Sequence, residues 1–234
     1  MIEKTDFDTY LYISKKNFQI FLLDKKNFKN LYNKELTISN NFNFEDLDIL
    51  SKFLDENLYK IEKLLGNFIK SIILIIENDK NLEVNISFKK KNYDKKINQK
   101  FLENSLTEIK DLFKVNYLDY KIMHMVIVNY IINEKKYYAF VNDVNSKHLG
   151  LEVNFIAIEN NLVSALDKVL GKYQTQVSQY MCGDYIKNFF SEDNGELSQM
   201  AYKLKNGQND NEVILVPKNI KNRGFFEKFF QLFS

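Results

Sequence analysis

The run Ser71-Ile72-Ile73-Leu74-Ile75-Ile76 constrains this chain more than any other stretch. It is short, β-branched and apolar at every position but the first, so it reads as a buried strand. Upstream, Tyr10 to Ser14 and Phe18 to Leu23 read as two strands joined by Lys15-Lys16-Asn17, and a third strand is expected around Leu36 to Ile38. Leu47, Leu50, Leu54, Leu58, Ile61 and Leu65 then step by three or four, the spacing of an amphipathic helix. Asn43 is its N-cap candidate, and Gly66 stands where a C′ glycine belongs. Strand, strand, strand, helix, strand makes the chain α/β.

A second group of elements follows. Leu82, Val84, Ile86 and Phe88 alternate as a half-buried strand does. The basic run Lys89 to Lys100, interrupted by Tyr93 and Asp94, reads as a solvated hairpin loop. Phe101 to Phe113 resumes helical spacing, and strands are expected over Ile122–Ile132, Tyr137–Val141 and Leu151–Ile158. Asn160 or Asn161 then caps a helix closed by Gly171. A strand over Tyr173–Met181 leads to a short helix ending at Phe189-Phe190, and the turn Ser191 to Gly195 opens a helix over Leu197–Leu204. Glu212 to Val216 is a candidate final strand, with Lys205 to Asn211 as the hinge before it.

The last stretch, Lys218 to Ser234, has a different chemistry. At 100° per residue Phe225, Phe226, Phe229, Phe230, Leu232 and Phe233 share one side of a helix, flanked by Lys221 and Arg223, with Lys228 on the polar side. The segment holds four basic residues and one acid, whereas the rest of the chain holds 29 against 30. An aromatic face beside a cationic one suits a helix lying in a membrane interface, where a net charge of +3 contributes roughly 3 kcal/mol on an anionic leaflet. Pro217, the only proline, marks the junction with the body. These nine residues are the membrane-binding candidates.

Composition excludes several classes. One cysteine, Cys182, leaves no internal disulfide and fits a reducing cytoplasm. MIEKTDFDTY has no apolar core of a signal peptide, and no apolar run approaches the length of a spanning helix. His124 and His148 lack metal-ligand spacing, and Cys182 has no histidine at motif distance, so each reads as a structural residue. Glu45, Asp46, Asp48, Glu192 and Asp193 sit at helix starts, where carboxylates favour the dipole. No glycine-rich phosphate loop or nucleophile elbow is present. No catalytic, cofactor-binding or metal residue is expected, and the chain is read as not an enzyme.

Met123-His124-Met125-Val126-Ile127-Val128-Asn129-Tyr130-Ile131-Ile132 resembles a segment of the actin-like bacterial cell-division family FtsA that reads L-H-V-I-P-Q-E-Y-I-I-D. Leu151 to Ile156 resembles the family's R-L-E-V-x-V-H-I strand, Asn161 to Leu170 its return helix, and the Phe-rich C-terminus its membrane-targeting helix. The resemblance implies a partial actin-like (ribonuclease-H-like) subdomain over 1–79 and 159–216. It implies an inserted strand-helix-strand-strand (SHS2-type) interaction module over 80–158, and an amphipathic tail over 217–234. The family's first phosphate loop, L-D-I-G-T, falls on Leu11 to Lys15, with Tyr12 for its aspartate and Ser14 for its glycine. The second phosphate loop and the second actin-like half have no counterpart, and with them goes the surface that holds the tubulin-like FtsZ. The resemblance thus implies a scaffold without cofactor on the cytoplasmic face of the inner membrane. It would bind itself or other division proteins through 80–158, with Lys89, Lys90 and Lys91 as partner-binding candidates. The alternatives are the related pilus-assembly family PilM, or a nucleic-acid module using Lys89 to Lys100; no nucleic acid is the expected partner.

Overall fold

Apolar alternation resolves into fourteen elements over the residues that the computed structural model describes, 6–39 and 42–214. In chain order they are β1 (Phe7–Ile13), β2 (Asn17–Asp24), β3 (Lys29–Thr37), α1 (Asp48–Leu65) and β4 (Ser71–Ile76), then β5 (Leu82–Ile97), α2 (Gln99–Asn116), β6 (Tyr120–Ile132), β7 (Lys135–Tyr137) and β8 (Val144–Glu159). The chain continues with α3 (Asn160–Gly171), β9 (Gln176–Cys182), α4 (Gly183–Phe189) and α5 (Leu197–Lys205). Two compact units result among the described residues: those up to Asn81 with Ile158–Asn206, and Leu82–Ala157 with 207–214. The tail over 217–234, with Pro217, lies outside the described residues.

The first unit is a five-stranded sheet in the order β3-β2-β1-β4-β9. β1 to β3 form an antiparallel meander, while β4 runs parallel to both β1 and β9. This mixed order is that of a ribonuclease-H-like sheet. β4 is buried at every position after Ser71 because helices cover both faces. On one face Tyr10, Phe21, Ile75 and Met181 share a core with Ile186 of α4 and Ala201 of α5. On the other, the Phe18 ring lies 5.9 Å from that of Phe53 in α1, and the Tyr180 hydroxyl donates to Asp167 Oδ1 of α3 at 2.5 Å.

The second unit is a four-stranded sheet, order β5-β8-β6-β7, with α2 on one face. Ile109 and Phe113 of α2 pack on Met125, Leu151 and Phe155, and the Phe113 and Phe155 rings stack with centroids 4.6 Å apart. Residues 207–214 join this unit, although the sequence division assigns them to the first. Ile127 N–H donates to the Asn211 carbonyl and Val213 N–H to the Met125 carbonyl, both at 2.8 Å. His124 Nδ1 lies 2.6 Å from Glu212 Oε1, with the imidazole fully buried. The strand expected at Glu212–Val216 is, within the described residues, a single bridge between Glu212 and Val126.

Several local expectations are corrected. β3 begins at Lys29, not near Leu36, because an edge strand needs only backbone pairing and its side chains are largely exposed. Lys89 to Ile97 is not a loop: the strand runs on through a bulge, with Tyr93 and Asp94 at φ 54° and 57° and the Asn92 amide buried against the Ser146 carbonyl. Tyr138 to Val141 is not strand, since β7 ends at Tyr137 after a two-residue turn with Asn133 and Glu134 at positive φ. Asn43 does not cap α1; it accepts from Glu45 N–H, and the helix starts at Asp48. Glu159, not Asn160 or Asn161, is the N-cap residue of α3, and Gly171 is its last helical residue rather than its terminator. Gly66 does end α1, at φ 65°.

Glycine contacts give a paired test. A Cβ on Gly150 would stand 2.8 Å from Ile131 Cβ, an atom fixed to its backbone, whereas one on Gly171 meets nothing within 4 Å. Gly150→Ala is expected to lower unfolding free energy by about 1–3 kcal/mol through overpacking, and Gly171→Ala to raise it by roughly 0.5–1 kcal/mol. Urea titration of both variants checks the contrast.

Candidate functional site

Parallel β1, β4 and β9 end together, and the C-terminal ends of parallel strands are where open α/β sheets hold ligands. The chain brings Tyr12 and Ser14 there from β1, Glu77 and Asp79 from the exit of β4, and Cys182 from β9. α4 adds Asp184 and Lys187 one helical turn apart.

At the centre is an ammonium group. Lys187 Nζ donates to the Tyr12 hydroxyl at 2.9 Å, lies 4.6 Å from the centre of that ring, and pairs with the Glu77 carboxylate. Burial works against the charged lysine, but the bonds to Glu77 and Tyr12 outweigh it and the Lys187 pKa is raised. Burial raises the Tyr12 pKa, which keeps the hydroxyl protonated. Gly183 is required beside this cluster: a Cβ would stand 2.6 Å from Glu77 Cγ and push the carboxylate out of position. Burial likewise raises the Cys182 thiol, so it is a weak nucleophile.

The adjoining hairpin turn is closed on itself. Ser14 Oγ accepts from Asn17 N–H at 3.0 Å and from Lys16 N–H at 3.2 Å, and it donates to Asn17 Oδ1 at 2.7 Å. The Lys16 and Asn17 amides, which could otherwise turn toward an anion, are therefore already bonded. Lys15 pairs with Asp79 across the mouth of the site. Among the described residues no three His, Cys, Asp or Glu side chains converge as a metal-ligand set. These residues do not fit a magnesium nucleotide: Lys187 already neutralises Glu77, Tyr12 brings a phenol and not a carboxylate to the strand end, and the Lys16 and Asn17 amides are engaged.

No protein-family model and no curated protein matches the chain. Solved structures do. One is the cytoplasmic domain of EpsL, an inner membrane component of the type II secretion system of Vibrio cholerae, at 6% identity and TM-score 0.36, covering 76% of this chain and 57% of that one. Another is the PilM-PilN type IV pilus biogenesis complex, at 8% identity and TM-score 0.44, covering 80% and 50%. A third is a protein from Bacteroides thetaiotaomicron VPI-5482 with an actin-like ATPase fold and unknown function, at 16% identity and TM-score 0.32, covering 82% and 60%. The chain thus spans between half and three-fifths of those structures.

The sequence candidates fall elsewhere. Lys221, Arg223, Phe225, Phe226, Lys228, Phe229, Phe230, Leu232 and Phe233 lie outside the described residues. Lys89 and Lys91 point to one face of β5 and are exposed, while Lys90 points to the other, bonding Glu108 at 2.6 Å with its Nζ 5.0 Å from the centre of the Phe101 ring. Cys182 is buried, as expected. Sequence reasoning missed Glu77, Asp184 and Lys187. The one available signal was the position of Glu77 directly after the apolar run, since a carboxylate there is carried to the sheet's end.

Asp184 supplies a pH test. Burial first, and then the nearby Glu77 and Asp79 carboxylates, raise its pKa above the ordinary 3.8, against an opposing pull from Lys187. The fold therefore favours its neutral form, a contribution present in full below pH 3.8 and lost as pH rises through the raised value. Asp184→Asn is expected to raise the urea midpoint at pH 7, and the gain should shrink toward zero below pH 3.8.

Proposed function

We propose that this chain is a non-catalytic, membrane-associated scaffold of the bacterial division machinery, related in design to FtsA but without a nucleotide site. The observation that carries the non-catalytic part is the Lys187 ammonium bonded to Tyr12 and Glu77. An internal cation at the end of β4 does the electrostatic work of a bound metal, and it is tied to the fold. The Ser14 hydroxyl, by engaging the turn amides, removes the usual means of gripping a phosphate. Support for membrane attachment comes from the aromatic and cationic residues of 218–234. Among the described residues no helix is long and apolar enough to cross a membrane, so attachment would rest on that tail.

Two outcomes test the reading. Millimolar ATP with magnesium should leave the melting temperature unchanged; a ligand at ~100 times its Kd would add about 2.7 kcal/mol, which a thermal scan detects readily. Saturable stabilisation by ATP would defeat the non-catalytic reading. In vesicle flotation, Phe226→Glu with Phe230→Glu should abolish binding to anionic liposomes with little change in melting temperature, and binding by the unaltered chain should weaken with salt. A large loss of stability would instead mean that this segment is docked on the protein body.

A further inference from the structure

β5 is the terminal strand of its sheet. β8 takes one edge, and among the described residues no backbone group of 82–91 is bonded on the other. Every second residue along that stretch therefore turns its N–H and C=O outward.

The two sides of this edge differ. Toward α2 stand Leu82, Val84, Ile86 and Phe88, packed against the unit's core yet only partly buried. On the opposite face Glu83, Asn85, Ser87, Lys89 and Lys91 are exposed, so that face is basic at its Lys89–Lys91 end. Lys90 marks which flank of α2 lies beside the edge, because it reaches Glu108 and Phe101. Phe101, Glu108, Leu112 and Val115 fall within an arc of about 60° on that helix. Leu112 is 45% and Val115 71% exposed. An open row of backbone groups is thus bordered by unfinished apolar surface on one side and by lysines on the other.

We propose that the open edge of β5 accepts an added strand from a partner protein. The strand is an extended segment with apolar side chains at alternate positions toward α2 and carboxylates between them toward Lys89 and Lys91. The inference rests on the scaffold reading for the partner being a protein. Its pattern follows from the edge: main-chain bonds supply affinity, and the alternating side chains supply selectivity. A second copy of this chain is an outcome the test separates, since antiparallel pairing centred on Ser87 would set Lys91 of one copy opposite Glu83 of the other. Lys89 and Lys91 discourage indiscriminate edge pairing, which leaves an acidic complement as the favoured strand.

The experiment uses the full chain and a fluorescent, terminally blocked peptide of alternating valine and glutamate. Its length is about ten residues, that of the open stretch. A valine–lysine counterpart and two forms N-methylated at every second residue, one in each phase, serve as comparisons. Anisotropy should show saturable binding of the acidic peptide, about tenfold weaker binding of the lysine peptide, and loss of binding in one N-methylated phase only. Lys89→Glu with Lys91→Glu should reverse the charge preference without changing the melting temperature. Absence of binding, equal binding of both N-methylated forms, an unreversed charge preference, or self-association that the acidic peptide does not displace would each overturn the proposal. Flotation of the same samples separates the two ideas: vesicle binding without peptide binding sinks only the β5 inference, and peptide binding without flotation sinks only the membrane reading.

Discussion

Burial of β4 from both sides is the constraint on which the first unit depends. A strand with five consecutive buried apolar residues must have strands on both edges and helices on both faces. β1 and β9 satisfy the edges, and the helices divide into α1 with α3 on one face and α4 with α5 on the other. The meander of β2 and β3 then grades the sheet outward to solvent, from the fully buried Phe18 and Ile20 to the exposed lysines of β3. Asn30 and Asn33 of β3 bond the Glu196 carboxylate before α5, so even the polar edge is held to a helix.

The same parallel arrangement brings three strand ends together, and that region is necessarily polar because backbone and side chains emerge from the core there. In this chain the polarity is spent internally. Lys187 links α4 to β1 through Tyr12 and to the end of β4 through Glu77, so one side chain ties three elements. Such a bridge stays put because the side chain is covalently part of the fold, and a ligand would have to displace a partly buried cation to enter. The cluster thus cross-links three elements at the sheet's end.

The second unit is organised more sparingly. Among the described residues one helix covers one face of four strands, so the edges carry much of what the surface can do. β6 is extended on its far side by β7 and then by residues 211–213, with the buried His124 against Glu212 at that junction. β5 has no such cover among the described residues. The asymmetry follows from sequence composition: the segment near Val213 brings an apolar side chain into the core, whereas the outer half of β5 is lysine-rich and stays in solvent.

Element types were legible wherever burial imposes a period. The run at 71–76, the α1 stripe ending at Gly66 and the alternation Leu82 to Phe88 each state their structure because side chains facing a core must be apolar at fixed spacing. Strand continuation through Lys89 to Ile97 and the whole of β3 were not legible, since backbone pairing at an edge leaves no apolar trace. Nor could the chain order announce that Tyr12, Glu77 and Lys187 meet, for they come from elements scattered across 175 positions and are joined only when parallel strands stack in register. Tyr12 and Ser14 could be singled out in the sequence; that Lys187 bonds the Tyr12 hydroxyl could not. Local pattern thus determined the α/β class and most elements, because hydrophobic burial is a short-range periodic demand. Tertiary packing alone decided which polar groups share a site and which edge stays open, because both depend on neighbours that are distant in the chain.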